Sequence, residues 1–357
     1  MRLPSADEQA DVLDQLQALP DTGQLKVGRA AVRVTNLDRV LWPAARPRVT
    51  KRDLLAYLVR VAPAMLTHCA GRPAFVTRSP EGLSGETFYQ KVWEHPPSFV
   101  RQVSVWSSER DAARPLLLID NLATLLWLAQ QGVMEFHVWL SRTKADDDAR
   151  SLPADYASSA EALHASRLNY PDVLAVDLDA YDYSGREGPG QEPELNRKGF
   201  QRVRDVALEV RKLGEALGLS AFVKTSGKTG LHIFLPIRRS YRFDEVRAMA
   251  QTIGTFLRAL RPEDITLAWS VERRTGRVFF DANQNARGKS LVVAYSPRRH
   301  PRATVSMPVT WESLERLYPT DFTVRTVPDI LASHGDVWAG LLDAKRDLEQ
   351  TLAASQV

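Results

Sequence analysis

The plainest pattern lies in the second half of the chain. Residues 171–179, PDVLAVDLD, form an apolar run closed by two acids, which predicts a strand in the middle of a sheet. Val203, Val206, Val210, Leu213 and Leu217 recur at helical spacing, so a helix is expected over about 199–217, stopped by Gly218. A loop rich in Gly, Pro and Glu (184–194) precedes it. LSAFV and LHIFLPI read as strands on either side of a glycine-containing turn. Val246, Met249, Ile253, Leu257 and Leu260 mark another helix near 244–260. GRVFFDANQN and SLVVAYS read as two more strands, and an amphipathic helix is expected over about 335–353.

The first half is less regular. Residues 1–20 predict a short helix with Val12, Leu13, Leu16 and Leu19 on one side, and LKVGRAAVRVTN alternates as a strand or hairpin. Thr50 and Asp53 have the spacing of a capping box, opening a helix with Leu54, Leu55, Leu58, Val61 and Met65 on its inner face. PAFVTRS and VMEFHVWL read as strands. Asp120 is placed to cap a helix through NLATLLWLAQQ that Gly132 stops. There is no internal repeat, and the polar gap near 143–170 is the expected boundary between two lobes.

Composition narrows the class. The 357 residues are 44% hydrophobic and 25% charged, the balance of a soluble globular protein. No apolar run approaches membrane-spanning length, and MRLPSADEQADVLDQLQ is too polar for a signal peptide. A lone cysteine, Cys69, excludes an intramolecular disulfide and a cysteine zinc cluster, and reads as a small core residue. These features favour the cytoplasm. A net charge of +4 says little about partners, but Arg287, Lys289, Arg298, Arg299 and Arg302 fall in one stretch without an acid. The acidic run at 146–148 reads as a solvated loop.

The turn between the two strands, KTSGKTGLHIF (224–234), contains the Gly-Lys-Thr of a phosphate-binding P-loop. That motif needs a glycine at 222, where Phe222 stands, and a helix rather than a strand afterwards. What remains is a strand–turn–strand carrying Ser226, Lys228 and His232. Asp177 and Asp179 lie at i and i+2, so both carboxylates share one face of their strand. Like charges there are unfavourable unless something positive sits between them, and a divalent cation meets that demand. Solvated acids capping a turn are the alternative. Asp281 also ends an apolar run, and on a neighbouring strand it would complete a two-metal site. Ser226 and His232 then suit a polyphosphate, with Lys289 and Arg298 adding positive charge. His232 as a core residue, and the two cations as surface charge, are the alternatives.

Several stretches together resemble the polymerase domain of bacterial ligase D, in the archaeo-eukaryotic primase superfamily. They are TNLDRVLWP (35–43), GRPAFVTRSPEGLSGETFYQK (71–91), LIDNLATLLWLAQQGVMEFHVW (118–139), PDVLAVDLD (171–179), VKTSGKTGLHIFLP (223–236), GRVFFDANQNARGKSLVVAYSPR (276–298) and SMPVTWESLERLYPTDFTVRTVPDIL (306–331). The resemblance implies an α/β (α+β) fold with a primase-type catalytic core. An RNA-recognition-motif-like antiparallel sheet lobe, about 165–334, would pack on an N-terminal α/β lobe, about 25–150. A helical extension over 1–24 and a C-terminal helix over 335–357 would flank the domain at 25–334.

The resemblance also implies roles. Asp177, Asp179 and Asp281 would bind two divalent metals, Mg or Mn. Ser226, Lys228, His232, Lys289, Arg298 and His137 would surround an incoming NTP or dNTP. Asn36, Arg39, Lys51 and Lys91 would grip a DNA 5′-phosphate, and Phe88 and Tyr89 would stack on the template. The partner would be gapped or broken double-stranded DNA, with the end-joining proteins Ku and a separate ligase alongside and no membrane. The chain departs from the family at Ala180 where proline is usual, at Ala282 where an aromatic is common, and at Arg39 where lysine is usual. It is also slightly longer around AARPRVTK. No K-x-D-G ligase motif occurs, so a stand-alone polymerase acting in end joining or gap filling is expected. An end-binding module without synthesis and a metal-dependent nuclease are the rival readings.

Overall fold

The computed structural model describes residues 1–188, 191 and 193–348. The first half runs α1 (Ala6–Ala18), β1 (Gly23–Val27), β2 (Ala30–Val34), β3 (Val40–Trp42), β4 (Val49–Thr50), α2 (Lys51–Cys69), β5 (Pro73–Arg78), β6 (Phe88–Gln90), β7 (Arg101–Ser107), β8 (Ala112–Leu118), α3 (Leu122–Gln130) and β9 (Val133–Val138). The second runs α4 (Ala160–Ala165), β10 (Val173–Ala180), α5 (Arg197–Ala216), β11 (Phe222–Thr225), β12 (Leu231–Pro236), α6 (Phe243–Leu260), β13 (Ile265–Thr266), β14 (Val278–Asp281), β15 (Leu291–Val292), β16 (Pro308–Val309) and α7 (Val327–His334).

Two six-stranded sheets organise these elements. The first has the order β15-β9-β5-β8-β7, with β6 also paired to β5; the second is β13-β14-β10-β12-β11-β16. All pairings are antiparallel except β13 with β14. β10 lies inside the second sheet, where its apolar run is fully buried. β15 crosses the boundary expected at 143–170: it comes from the second half yet pairs with β9, Val292 facing His137. Most buried apolar side chains of both halves form one continuous core.

Local chemistry explains the element ends. Thr50 and Asp53 form the capping box of α2, each side chain bonded to the other's backbone N–H. α3 is capped by Asn121, whose Oδ1 accepts from Thr124 N at 2.8 Å, and not by Asp120. The Asp120 carboxylate is taken by Arg101 at 2.7 Å. The strand expected in SLVVAYS shrinks to two residues because Tyr295 adopts a left-handed backbone, φ 67°, and turns the chain. The helix expected over 335–353 is also absent over residues 335–347. Residues 337–344 are turns, and α7 stops at Gly335 with φ 70°. There Asp336 accepts from Tyr295 and from Trp338 N, and lies 2.8 Å from His68, so tertiary bonds override helical spacing. Residues 349–353 of that helix, and 189, 190 and 192 of the loop at 184–194, lie outside the described residues.

α5 and α6 cover one face of the second sheet through close glycine contacts. A Cβ on Gly199 would meet Ala180, one on Gly214 would meet Leu235, and one on Gly254 would meet Phe280. These partners fix which face is apolar. By the two-residue period, Asp177 and its cross-strand partners face the other way.

Candidate active site

A row of ionisable side chains crosses the second sheet on that free face. Lys224 is opposite His232, His232 is opposite Asp177, and Asp177 is opposite Asp281. All four are more than nine-tenths buried. Lys224 Nζ lies 2.7 Å from His232 Nδ1 and 2.6 Å from Ser306 Oγ, and His232 Nε2 lies 3.2 Å from Asp177 Oδ1. Burial, with Arg298 nearby, holds the Lys224 amine well below its usual pKa. Burial and Lys224 do the same to His232.

The acids respond in the opposite sense. Burial pushes the Asp177 carboxyl up to about 6, against the pull of Lys224 and Arg298. Asp281 is raised by burial and then by repulsion from Asp177. Asp177 Oδ1 is buried without a hydrogen bond, the lone pairs a cation would use. Asp179 shares the face of Asp177 and receives Thr229 Oγ1 at 3.4 Å. Asp281 is more sheltered: Asn283 N donates to it at 2.8 Å and Gln284 Nε2 at 3.1 Å. Among the described residues no group of three His, Cys, Asp or Glu is already gathered as a metal cage. Two directly opposed buried carboxylates with raised proton affinity, and a third two residues along, still fit a hard divalent cation once Gln284 yields Asp281.

A cavity of about 250 Å³ opens above Asp177 and Asp179. Ser226, Lys228, His232, Arg298 and His137 line it, so five of the six residues expected around a nucleotide meet there. Their roles in the turn are structural as well. Ser226 Oγ accepts from Lys228 N and Gly230 N, and so spends two backbone donors that a phosphate cradle would need. A Cβ on Gly230 would stand 2.0 Å from Leu178 O, so this glycine lets the turn press against β10. Arg298 binds Glu135 through Nε at 3.0 Å and Ser226 O through Nη1 at 3.0 Å. Glu135 is buried, which alone would raise its carboxyl, but Arg298 and His137 hold it well below the usual range. His137 Nε2 is 3.6 Å from that carboxylate, too far for a hydrogen bond.

The sixth residue, Lys289, lies elsewhere. It lines a neighbouring cleft of about 970 Å³ with Tyr89, Lys91 and Arg287. Gln284 and Ser290 line both spaces, so the cleft and the cavity adjoin. Tyr89 enters the cleft with its hydroxyl 2.9 Å from Ser290 Oγ. Phe88 and Tyr89 are both exposed, but as neighbours on β6 they point to opposite faces and do not form one platform.

Three of the four residues expected at a 5′-phosphate come together. The Asn36 carbonyl accepts from Arg39 N at 3.1 Å, and the Arg39 carbonyl from Lys51 N at 2.9 Å. Asn36 holds a left-handed backbone, φ 54°. Lys51 is buried, its Nζ 2.9 Å from Thr35 O, and burial followed by repulsion from Arg39 lowers its pKa. Lys91 stands apart, 5.4 Å over the Phe75 ring.

Lys224, Glu135 and Asn285 escaped the sequence reading. Asn285 bonds both backbone groups of Ala175, at 2.8 and 2.7 Å, and so completes β10 where β14 has turned away. All three lie within or beside strands already assigned. Polar residues interrupting such runs were the available signal.

Helices over one face of an antiparallel sheet, an acid row on the other, and a hairpin closing over it define a mixed α/β protein of the primase-polymerase class. A profile of the LigD primase-polymerase domain matches residues 50–338, and the chain belongs to that family. The multifunctional non-homologous end joining protein LigD of Pseudomonas aeruginosa is 30% identical over 322 residues, covering 89% of this chain and 34% of that protein. LigD of Mycobacterium tuberculosis is 30% identical over 285 residues, 80% of this chain and 33% of that protein. The chain thus spans about a third of the length of these relatives. The polymerase domain of Mycobacterium tuberculosis ligase D, solved in complex with DNA, superposes with a TM-score of 0.72 at 29% identity, covering 88% of this chain and 98% of that one. No described helix is long and apolar enough to cross a membrane.

Proposed function

We propose that the chain is a template-directed nucleotidyltransferase that adds NTPs or dNTPs to a primer at gaps or broken DNA ends. The observation that carries this reading is the register of β10 with β14, which sets Asp177 opposite Asp281 beside a cavity walled by Ser226, Lys228 and His232. Family membership supports it, and so does the DNA in the similar solved domain.

Asp177, Asp179 and Asp281 would hold two divalent cations, Mg or Mn. Bound there, the cations would lower the pKa of the primer 3′-hydroxyl and neutralise charge on the leaving pyrophosphate. The protein's own part is placement. His232, which lines the cavity with Nε2 3.2 Å from Asp177 Oδ1, would offer an Nε2–H to a phosphate oxygen. Lys228, whose side chain lines the cavity, would supply charge to the triphosphate. Arg298 would act more as the brace of the turn, since two of its donors are spent on Glu135 and Ser226. Lys289, Lys91 and Tyr89 would contact nucleic acid in the adjoining cleft.

Asn36, Arg39 and Lys51 would receive the 5′-phosphate beyond a gap, in repair of the end-joining type in the cytoplasm, with Ku and a separate ligase as candidate partners. Gap filling on a duplex with and without that phosphate, in Mn, tests both halves of the proposal. An Asp179→Ala enzyme that still extends normally would sink the chemistry. Equal binding of both ends would sink the pocket. The rival, an end-binding module without synthesis, gives no reason for two opposed buried carboxylates.

A further inference from the structure

A separate cavity of about 190 Å³ lies between the loop joining β3 to β4 and the segments around Arg302 and Arg325. Arg46, Arg302 and Arg325 line it together with small apolar residues such as Val49 and Val324, and no Asp or Glu is in its wall. Arg46, Arg302 and Arg325 are all exposed residues, and their guanidinium groups concentrate positive charge around one small concavity that an anion would find favourable.

Two of the three are held in place. Arg46 Nη1 donates to the carbonyls of Pro43 and Ala45, and Arg325 Nη2 donates to Arg48 O at 2.7 Å and Asp53 Oδ2 at 3.2 Å. Each commits one terminal nitrogen, which fixes the fork and leaves other donors for a ligand. The Asp53 carboxylate pairs with Arg325 at 3.2 Å and offsets one of the three charges, which leaves the excess on Arg46 and Arg302. Arg302 is exposed, and the next residue, Ala303, is buried with a left-handed backbone, φ 52°. A β-carbon residue in that conformation is strained, and strain of this kind gathers where a side chain must be aimed. The segments that frame the pocket also touch the active-site wall: Trp42 Nε1 at the end of β3 donates to Arg298 O at 3.2 Å, four residues before Arg302.

We propose that this pocket is a second phosphate-binding site, distinct from the Arg39 and Lys51 cluster at the base of the same hairpin. Its ligand chemistry is a tetrahedral phosphate oxyanion, held by forked guanidinium donors. Its source is a backbone phosphodiester of the bound DNA, an assignment that rests on the DNA-directed reading above. Free pyrophosphate has the same chemistry and is the second arm of the test.

The experiment compares wild type with Arg46→Gln/Arg302→Gln. Binding of a gapped duplex is measured against salt, with and without the downstream 5′-phosphate, and pyrophosphate binding is measured by calorimetry. Losing one phosphate contact should make the salt slope shallower by about 0.9, and affinity at 0.1 M salt about eightfold weaker. The loss should be the same whether or not the 5′-phosphate is present, which separates this pocket from the first. If DNA binding is unchanged but pyrophosphate binding is lost, the anion site stands with a free polyphosphate as its source. If neither changes, the proposal is overturned. Should the double variant melt early, exposed Arg302→Gln alone repeats the test. Gap filling by wild type is run alongside. Its failure would remove the polymerase reading and leave the anion result standing.

Discussion

Lys224 Nζ lies 2.7 Å from His232 Nδ1, inside the sheet and out of reach of solvent. Ser306 Oγ, 2.6 Å away, spends its own proton on Thr225 O and so accepts from the lysine. Charged or neutral, the Lys224 amine has N–H donors for both partners; with one given to His232 Nδ1, the neutral imidazole would carry its proton on Nε2, on the side of Asp177 and the cavity. Lys224 is thus a positioning residue, which sets the tautomer of the group beside the triphosphate site.

Nitrogen NMR of the imidazole should therefore show His232 as the neutral Nε2–H tautomer in wild type. Lys224→Met, similar in length and apolar, should release that preference and raise KM for the nucleotide about tenfold, the worth of a charge-assisted bond, with a smaller change in kcat. A wild-type Nδ1–H signal, or a Lys224→Met enzyme that loses kcat alone, would refute the arrangement.

Asp177→Asn should separate stability from activity. A carboxyl raised to about 6 in the fold, against about 3.9 in an unfolded chain, binds more protons folded than unfolded between those values. Stability therefore falls as pH rises from about 4 to 6, and the full penalty, about 3 kcal/mol, is present above that. The asparagine variant removes the charge, so at pH 7 without metal it should melt higher than wild type while primer extension drops by ~10²-fold or more. Chemical denaturation in EDTA across pH 4–8 reads the sign. A variant less stable than wild type at pH 7 contradicts it.

Much of this site was legible before the fold. Acids that end apolar runs, as at Asp177, Asp179 and Asp281, stand out because a strand end is where a buried sheet can expose a charge. Register was not legible. Asp177 faces Asp281, and not Phe279, only because β14 pairs with β10 antiparallel at that offset. Lys224 was hidden for the opposite reason to the acids: it lies within a strand, where a buried amine is tolerated only through His232, its cross-strand partner in the same hairpin, and Ser306, which is remote in sequence. Lys289 was assigned to the nucleotide by its charge and motif. The turn after Gln284 instead carries it to the outer cleft.

Gly230→Ala tests the packing of the turn. The added Cβ would lie 2.0 Å from Leu178 O and 2.6 Å from Asp179 Oδ1, and backbone cannot give way as a side chain does. The turn must lift from β10, carrying Ser226 and Lys228 away from the acids. We expect a loss of about 1–3 kcal/mol and a rise in nucleotide KM. Thermal melting with nucleotide titration checks it, and an alanine enzyme with unchanged KM would show that the close approach is dispensable.

Asp172 decides how the two sheets stay joined. It precedes β10, is fully buried, and binds Arg72, which precedes β5, at 2.8 Å and Arg142, which follows β9. Arg239, after β12, is buried in the same cluster, its guanidinium on the carbonyls of Arg142 and Lys144. Burial alone would raise the Asp172 carboxyl, but Arg72 and Arg142 lower it. A carboxyl depressed in the fold contributes stability that is present above its unfolded value, about 3.9, and is lost as pH falls through its lower folded value. Asp172→Asn leaves Arg72 buried without its charge partner and Arg142 with Asp146 alone, so it should cost about 3–5 kcal/mol at pH 7. The gap between variant and wild type should then narrow as the pH is taken below about 4. Urea unfolding at pH 7 and pH 3 makes the comparison, and a gap that is small at pH 7 or widens in acid would place the junction's strength in the apolar core instead.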